Sequence, residues 1–353
     1  MFGNILIDKL RISRKIDSNF NPRKVQESLN KLTNSHFRAE HFSVNYDKCY
    51  FRVTLTPTLY MSDKLANEGK PIYNMEMIAE STLVSVLEKV YDILGDEAVV
   101  TWIDITKNIL VKDKASNYIE SLSRINAKYP YKKHNCTSKT VVKTAIFGTL
   151  KRTNGTDCVK DVRQITFYDK VAEILEKTRQ KSRFIDNVNL TKNEIAQLPK
   201  EAYQKEHNRL FLRDLNILRI EHRLKYTNNI KRLTWFLCGS KVEDKLKLPL
   251  LINLLKKKEL YSKLDAYFTS ELKNYIFFEK ADELKVETLS ANENMLVGLI
   301  IKHDINLNNW LSVFEDVTSK DVRNNFIKKM QPHLIGKCYI ELYKKLINIS
   351  TSG

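Results

Sequence analysis

Asp161-Val162-Arg163-Gln164-Ile165-Thr166-Phe167-Tyr168-Asp169-Lys170-Val171-Ala172-Glu173 opens with the alternation of a strand and closes with the charge pattern of a helix. Ile165 and Phe167 fall on one face, and Gln164, Thr166 and Tyr168 on the other, because successive strand side chains point to opposite sides. A lysine- and glutamate-rich run from about Val171 to Arg183 then reads as helical. Tyr168 thus stands at the end of a strand on its polar face, with Lys170 two residues on and Glu173 in the first helical turn. A phenol is presented beside a cation and a carboxylate. The chain holds 16 tyrosines and most of them are packing residues, so this grouping gains weight only from its surroundings.

Two further strands are built the same way. In Val99-Val100-Thr101-Trp102-Ile103-Asp104-Ile105-Thr106, Ile103 and Ile105 share one face while Trp102, Asp104 and Thr106 share the other. In Ile217-Leu218-Arg219-Ile220-Glu221-His222-Arg223-Leu224-Lys225, Leu218, Ile220 and Leu224 oppose Arg219, Glu221, Arg223 and Lys225. Three strands that are apolar behind and charged in front predict one antiparallel sheet with helices packed on its apolar face. Its front would gather Asp104, Glu173, Glu221, Tyr168, Lys170, Arg219 and Arg223. Carboxylates crowded together among cations are the oxygen-donor set of a hard divalent ion. The bland alternative is a sheet with one wet face.

The ordered set Ile103-Asp104, then Tyr168, Lys170 and Glu173, then Arg219-Ile220-Glu221-His222-Arg223 resembles the rolling-circle replication initiators. It is most similar to the gene II type replication proteins of filamentous phages and prophages, and more distantly to the tyrosine initiators of small Gram-positive plasmids. Ile5-Leu6-Ile7-Asp8-Lys9-Leu10 looks like the opening strand of that family, and Cys49 to Pro57 with the helix ending near Leu94 extends the likeness. The resemblance spans roughly residues 1 to 227. Many relatives carry arginine just before the Ile-Asp pair. Here the residue is Trp102, which leaves a phosphate contact at that position open.

The resemblance implies site-specific nicking and joining of DNA at a replication origin. Tyr168 would attack in line to form a 5′-phosphotyrosyl intermediate and free a 3′-hydroxyl that primes synthesis. Asp104, Glu173 and Glu221 would hold Mg²⁺ or Mn²⁺ against the scissile phosphate. Lys170 would offset the developing charge, and Arg219 and Arg223 would clamp neighbouring phosphates. Many such enzymes use a His-hydrophobe-His metal motif. None of His36, His41, His134, His207, His222, His303 and His333 forms one, and the resemblance implies that carboxylates replace those imidazoles, as in relatives of this type. His222 falls on the apolar face and reads as a core or interface residue. Tyr203 and Tyr226 are the further tyrosines that a two-tyrosine termination would draw on.

Composition agrees with a phosphate-polymer partner: Lys and Arg exceed Asp and Glu by enough to give a net charge of +17 at pH 7. The expected partners are origin DNA, supercoiled duplex and single strand, together with a host helicase and polymerase. Five scattered cysteines show no zinc spacing and read as reduced thiols in a bacterial cytoplasm. No apolar run approaches the ~20 residues of a membrane span, so no membrane partner is expected.

Along the chain, strands are expected near Asn4 to Ile16, His36 to Tyr46 and Cys49 to Thr56, with a short helix at Pro22 to Leu32. Met75 to Leu94 carries a helical apolar stripe stopped by Gly95, and Ala115 to Lys128 is a second helix. Pro130 to Lys139 reads as a basic loop in which Tyr131, Lys132 and Lys133 suit DNA contact. Thr140 to Leu150 and Val159 to Tyr168 form a hairpin around Asn154-Gly155. Capping boxes start helices at Thr191, Ser290 and Thr318, the first helix bending at Pro199. Strand signals cease beyond Tyr226. An α+β nicking domain is therefore expected over residues 1–227, and an all-helical, basic DNA-binding or accessory domain over 228–353. Leu307 to Phe314 and Ser319 to Met330 have the lengths of a helix-turn-helix.

Two other functions compete. A regulator with this fold that binds DNA without cutting is one, though Asp104, Tyr168 and Glu221 together argue against an inactivated site. A metal-free tyrosine recombinase fits poorly, because its nucleophile should follow the Arg/His cluster on a helix, whereas Tyr168 precedes it on a strand.

Overall fold

The computed structural model describes residues 4–18, 20–36, 42–57, 80–123, 127, 131–138, 141–149, 163–173, 216–276 and 290–302, with scattered positions between 319 and 346. Eight strands form one antiparallel sheet: β1 (Ile5–Lys15), β2 (Phe42–Tyr46), β3 (Tyr50–Leu55), β4 (Val99–Val111), β5 (Lys132–Ser138), β6 (Val141–Gly148), β7 (Arg163–Asp169) and β8 (Asn216–Lys225). Their order is β2-β3-β1-β4-β8-β7-β6-β5. The three strands singled out from their alternation, β4, β8 and β7, are neighbours in the middle. The helices are α1 (Pro22–His36), α2 (Glu80–Leu94), α3 (Ala115–Ser123), α4 (Thr227–Cys238), α5 (Leu248–Lys256), α6 (Leu260–Tyr275) and α7 (Ala291–Lys302).

The apolar face carries Ile103, Ile105, Ile165, Phe167, Ile220 and Leu224, all without exposed surface, and α3, α4 and α6 pack on this side. Such burial contributes about 1.5–3 kcal/mol per large side chain. α2 ends as expected at Gly95, which takes φ +70°, a conformation that L side chains rarely adopt. The capping box of α7 forms as read: Glu293 N–H donates to Ser290 Oγ at 3.3 Å, and Ser290 N–H to Glu293 Oε2 at 2.8 Å.

Polar groups are also buried behind the sheet. Lys107 reaches Asp265 of α6 at 2.5 Å. Arg163 pairs with Glu271 of α6, and its charge lies over the rings of Tyr131 and Tyr275. His222 is fully buried among Tyr267, Phe268 and Tyr275, with its Nε2 3.8 Å from Glu271. It is a core residue, and burial lowers its pKa to about 4.

Two expectations need correction. Pro130 to Lys139 is not a loop, because Lys132–Ser138 is the edge strand β5 paired with β6. Residue 227 does not separate two cores. Ile230, Leu251, Phe268, Leu342 and Leu346 belong to the same hydrophobic cluster as the sheet, so the helices after β8 complete the sheet's core. The hairpin of β6 and β7 forms, but its turn at Asn154-Gly155 lies outside the described residues. So do the capping boxes at Thr191 and Thr318, the bend at Pro199 and most of the helix-turn-helix candidate. Among the described residues, no helix is long and apolar enough to cross a membrane, and Cys49, Cys136 and Cys238 are free thiols.

Candidate functional site

Register fixes the front of the sheet. Tyr168 lies opposite Arg219, Thr166 opposite Glu221, and Gln164 opposite Arg223. On the other side of β8, Arg219 meets Asn108, Glu221 meets Thr106, and Arg223 meets Asp104. Glu221 is therefore central, with Tyr168 and Asp104 on opposite diagonals. The Tyr168 hydroxyl donates to Glu221 Oε2 at 3.3 Å. Arg223 bridges the two carboxylates, with Nη2 2.5 Å from Glu221 Oε1 and Nε 3.4 Å from Asp104 Oδ1. Trp102 Nε1 donates to Asp104 Oδ1 at 2.6 Å.

A carboxylate that the sequence reading left out of the site joins it. Between Ile7 and Lys9 the pairing of β1 with β4 slips, and the extra residue is Asp8. Its carboxylate meets Arg219 Nη2 at 2.6 Å. The signal for it was a lone acid inside the apolar run Ile5-Leu6-Ile7, set after an isoleucine as Asp104 is.

The electrostatics follow from burial. Asp104 is pushed up to about 7, chiefly by desolvation and then by Glu221, against the opposing effects of Arg223 and Trp102. Tyr168 is held well above the ordinary phenol value by burial. Arg219 works against that shift, while Glu221, Glu173 and Asp8 add to it. Lys170 is lowered to about 8 by burial and by Arg219, with Glu173 and Asp8 opposing. Burial disfavours the Arg219 charge, but Asp8, Tyr168, Glu221 and Glu173 outweigh it and raise its pKa. The resting tyrosine is thus a neutral phenol whose proton points at a carboxylate.

Several expected roles change. Glu173 is tied to Lys170 Nζ at 2.6 Å, and among the described residues no group of three or more His, Cys, Asp or Glu is placed to hold a metal ion. Asp104 and Glu221 share Arg223 between them, while Glu173 shares Lys170. Arg219 does not clamp phosphates at the surface, since it is 1% exposed and bound to Asp8 and to Thr106 Oγ1 at 3.3 Å. Arg223 holds the carboxylates together. Tyr131 stacks on Tyr275 with ring centroids 4.1 Å apart, and the Lys133 ammonium caps Ser123 O at the end of α3. Both are thereby engaged with helices behind the sheet. Lys132 is exposed, in the cross-strand row of Gly148, Gln164, Arg223 and Asp104. Tyr203 lies outside the described residues. Tyr226 stands five residues beyond Glu221, about 16 Å along an extended strand.

The donor set fits a hard cation in its chemistry. Two neighbouring buried carboxylates, one driven toward protonation partly by the other, are relieved by positive charge, and Arg223 already supplies some between them. No protein-family model matches the chain, and no curated protein is significantly similar to it. The functional reading rests on the site itself.

Proposed function

We propose that the protein is a metal-dependent tyrosine nickase that cuts and rejoins one DNA strand at a replication origin, as a rolling-circle initiator does. The observation that carries this reading is the Tyr168 hydroxyl donating to Glu221, beside Asp104 and next to Arg219. A phenol with an ordinary pKa near ~10 needs a base and nearby positive charge to attack phosphorus. Glu221 accepts the phenolic proton as the Tyr168 oxygen bonds to phosphorus. The bond from phosphorus to the 3′ oxygen breaks, and that oxygen takes a proton from water and leaves as a hydroxyl. Lys170 offsets the charge that develops on the phosphoryl oxygens, and Arg219 favours negative charge on the attacking Tyr168 oxygen. Asp104 and Glu221 would hold Mg²⁺ or Mn²⁺, with Arg223 released from them toward phosphate. Such an ion supplies Lewis-acid polarisation of the scissile phosphate. The reverse reaction rejoins the strand. The net charge of +17 suits the polyanionic substrate.

The test incubates wild-type and Tyr168→Phe protein with supercoiled origin plasmid, in Mn²⁺ or in EDTA, scoring relaxation and protein attached to the 5′ end. Metal-dependent nicking and attachment should vanish in the variant. Attachment by Tyr168→Phe would move the nucleophile elsewhere. A wild type that binds the origin but never cuts it, whichever metal is supplied, would instead be a regulator of replication.

A further inference from the structure

Trp102 stands on the front of β4, and cations from both flanking strands gather on its ring. The Lys225 ammonium lies 4.2 Å from the ring centroid, the Arg11 guanidinium 4.5 Å, the Lys9 ammonium 4.7 Å and the Arg223 guanidinium 6.0 Å. Lys9 and Arg11 come from β1, and Arg223 and Lys225 from β8. All four are partly open to solvent, as is the indole. The indole N–H is committed to Asp104, so the ring is fixed to the candidate site while its faces collect positive charge. Burial and then the Arg52 charge lower the Arg11 pKa, with Tyr226 and Asp104 opposing.

An independent observation lies at the next residue. Tyr226 is 64% exposed and takes φ 67°, which side chains other than glycine rarely adopt. Its N–H donates to Thr101 O at 2.7 Å, and its carbonyl accepts from Asn229 and Ile230, so the strained residue is pinned between β8 and α4. Arg11 senses its phenol. A strained backbone that holds an aromatic ring out in water has a use to serve. Here the ring adjoins a cluster of cations.

We propose that Lys9, Arg11 and Lys225, set around Trp102, with Tyr226 beyond them, form a subsite for a single nucleic-acid strand beside the scissile phosphate. The cations take backbone phosphates and Tyr226 stacks a base. The subsite rests on the nickase reading for the identity of the strand it holds. The occupant is single-stranded because a paired, stacked base offers no free face to Tyr226. Duplex is the competing source of the same phosphates.

The test uses full-length Tyr168→Phe protein in EDTA, where nothing is cut, with fluorescein-labelled oligo(dT) and anisotropy over a salt series. Adding Lys9→Gln, Arg11→Gln and Lys225→Gln together should weaken binding about tenfold or more and flatten the plot of log affinity against log salt by about 2, some 0.7 for each lost phosphate contact. Adding Tyr226→Gly should weaken binding about tenfold at an unchanged salt slope. Its thermal midpoint should hold or rise, since glycine tolerates the backbone conformation. Trp102→Phe should retain most of the affinity that Trp102→Leu loses. Unchanged oligo(dT) binding by the triple and Tyr226→Gly variants would overturn the subsite. So would equal losses on fully paired duplex. The plasmid assay reads separately: nicking with unchanged oligo(dT) binding sinks the subsite alone, and lost binding without any nicking sinks the nickase alone.

Discussion

The Tyr168 hydroxyl donates to Glu221 at 3.3 Å, and the same carboxylate accepts from Arg223 through its other oxygen at 2.5 Å. Glu221 contacts both the phenol and the guanidinium, so it couples the two halves of the site. Replacing it with glutamine keeps the shape and removes the base. Glu221→Gln should slow attachment to the 5′ end about 10²–10⁴-fold, with oligo(dT) affinity preserved. Single-turnover kinetics checks this. An unchanged rate would show that another group takes the phenolic proton.

Asp104 should trade stability for chemistry. Its folded pKa of about 7 lies above the ordinary 3.8, chiefly through burial and then through Glu221. The folded protein holds that proton more tightly than the unfolded chain, so the stabilisation is full below 3.8 and is lost as pH rises through 7. At pH 8, Asp104→Asn should therefore be more stable than wild type by about 1–3 kcal/mol while failing to cut. Mn²⁺ should raise the wild-type melting midpoint at that pH and leave the variant's unmoved. Urea and thermal melts read both effects. A less stable Asp104→Asn would mean that the Arg223 pairing outweighs the burial.

Behind the sheet, Arg163 and Glu271 are a buried ion pair joining β7 to α6. Arg163→Leu strands the carboxylate and should cost about 3–5 kcal/mol in urea melts. Arg163→Leu with Glu271→Leu should recover much of it. Attachment per folded molecule should stay near wild type in the double variant, because the pair lies on the face opposite Tyr168.

His222 gives the protein an acid limit. Its ordinary pKa of 6.5 falls to about 4 through burial, with Arg163 adding and Glu271 opposing. The unfolded chain binds the proton first, so stability is full above pH 6.5 and declines as pH falls toward 4. The loss should reach about 3 kcal/mol. Denaturant midpoints measured across that window should drop steeply for wild type and less for His222→Phe. Parallel curves would assign the acid sensitivity to other groups.

Most of the strands were legible because one of their faces had to be greasy. Ile165 and Phe167, Ile103 and Ile105, and Leu218 and Ile220 alternate with polar residues, and each set lies behind the sheet as that alternation demands. β5 was not legible. Lys132-Lys133-His134-Asn135-Cys136-Thr137-Ser138 has no apolar face, and it is a strand because pairing with β6 satisfies its backbone while Lys133 reaches α3. The boundary at residue 227 failed for a related reason. The end of strand signals marks a change of local structure, whereas Asp265 and Glu271 show α6 returning to the same sheet.

By itself the sequence determined which side chains share a face, because that follows from the two-residue period of a strand. Tyr168, Asp104 and Glu221 therefore fall on one surface by alternation alone, and the register of β4, β8 and β7 keeps them there. Only the tertiary structure decided how far each lies from water and which charge it meets. A register slip turned Asp8 toward Arg219, depth in the sheet withdrew Arg219 from solvent, and the meeting of three strands around Trp102 assembled four cations from sequence-distant residues. Burial and long-range pairing depend on what the rest of the chain brings alongside, and no local pattern carries that information.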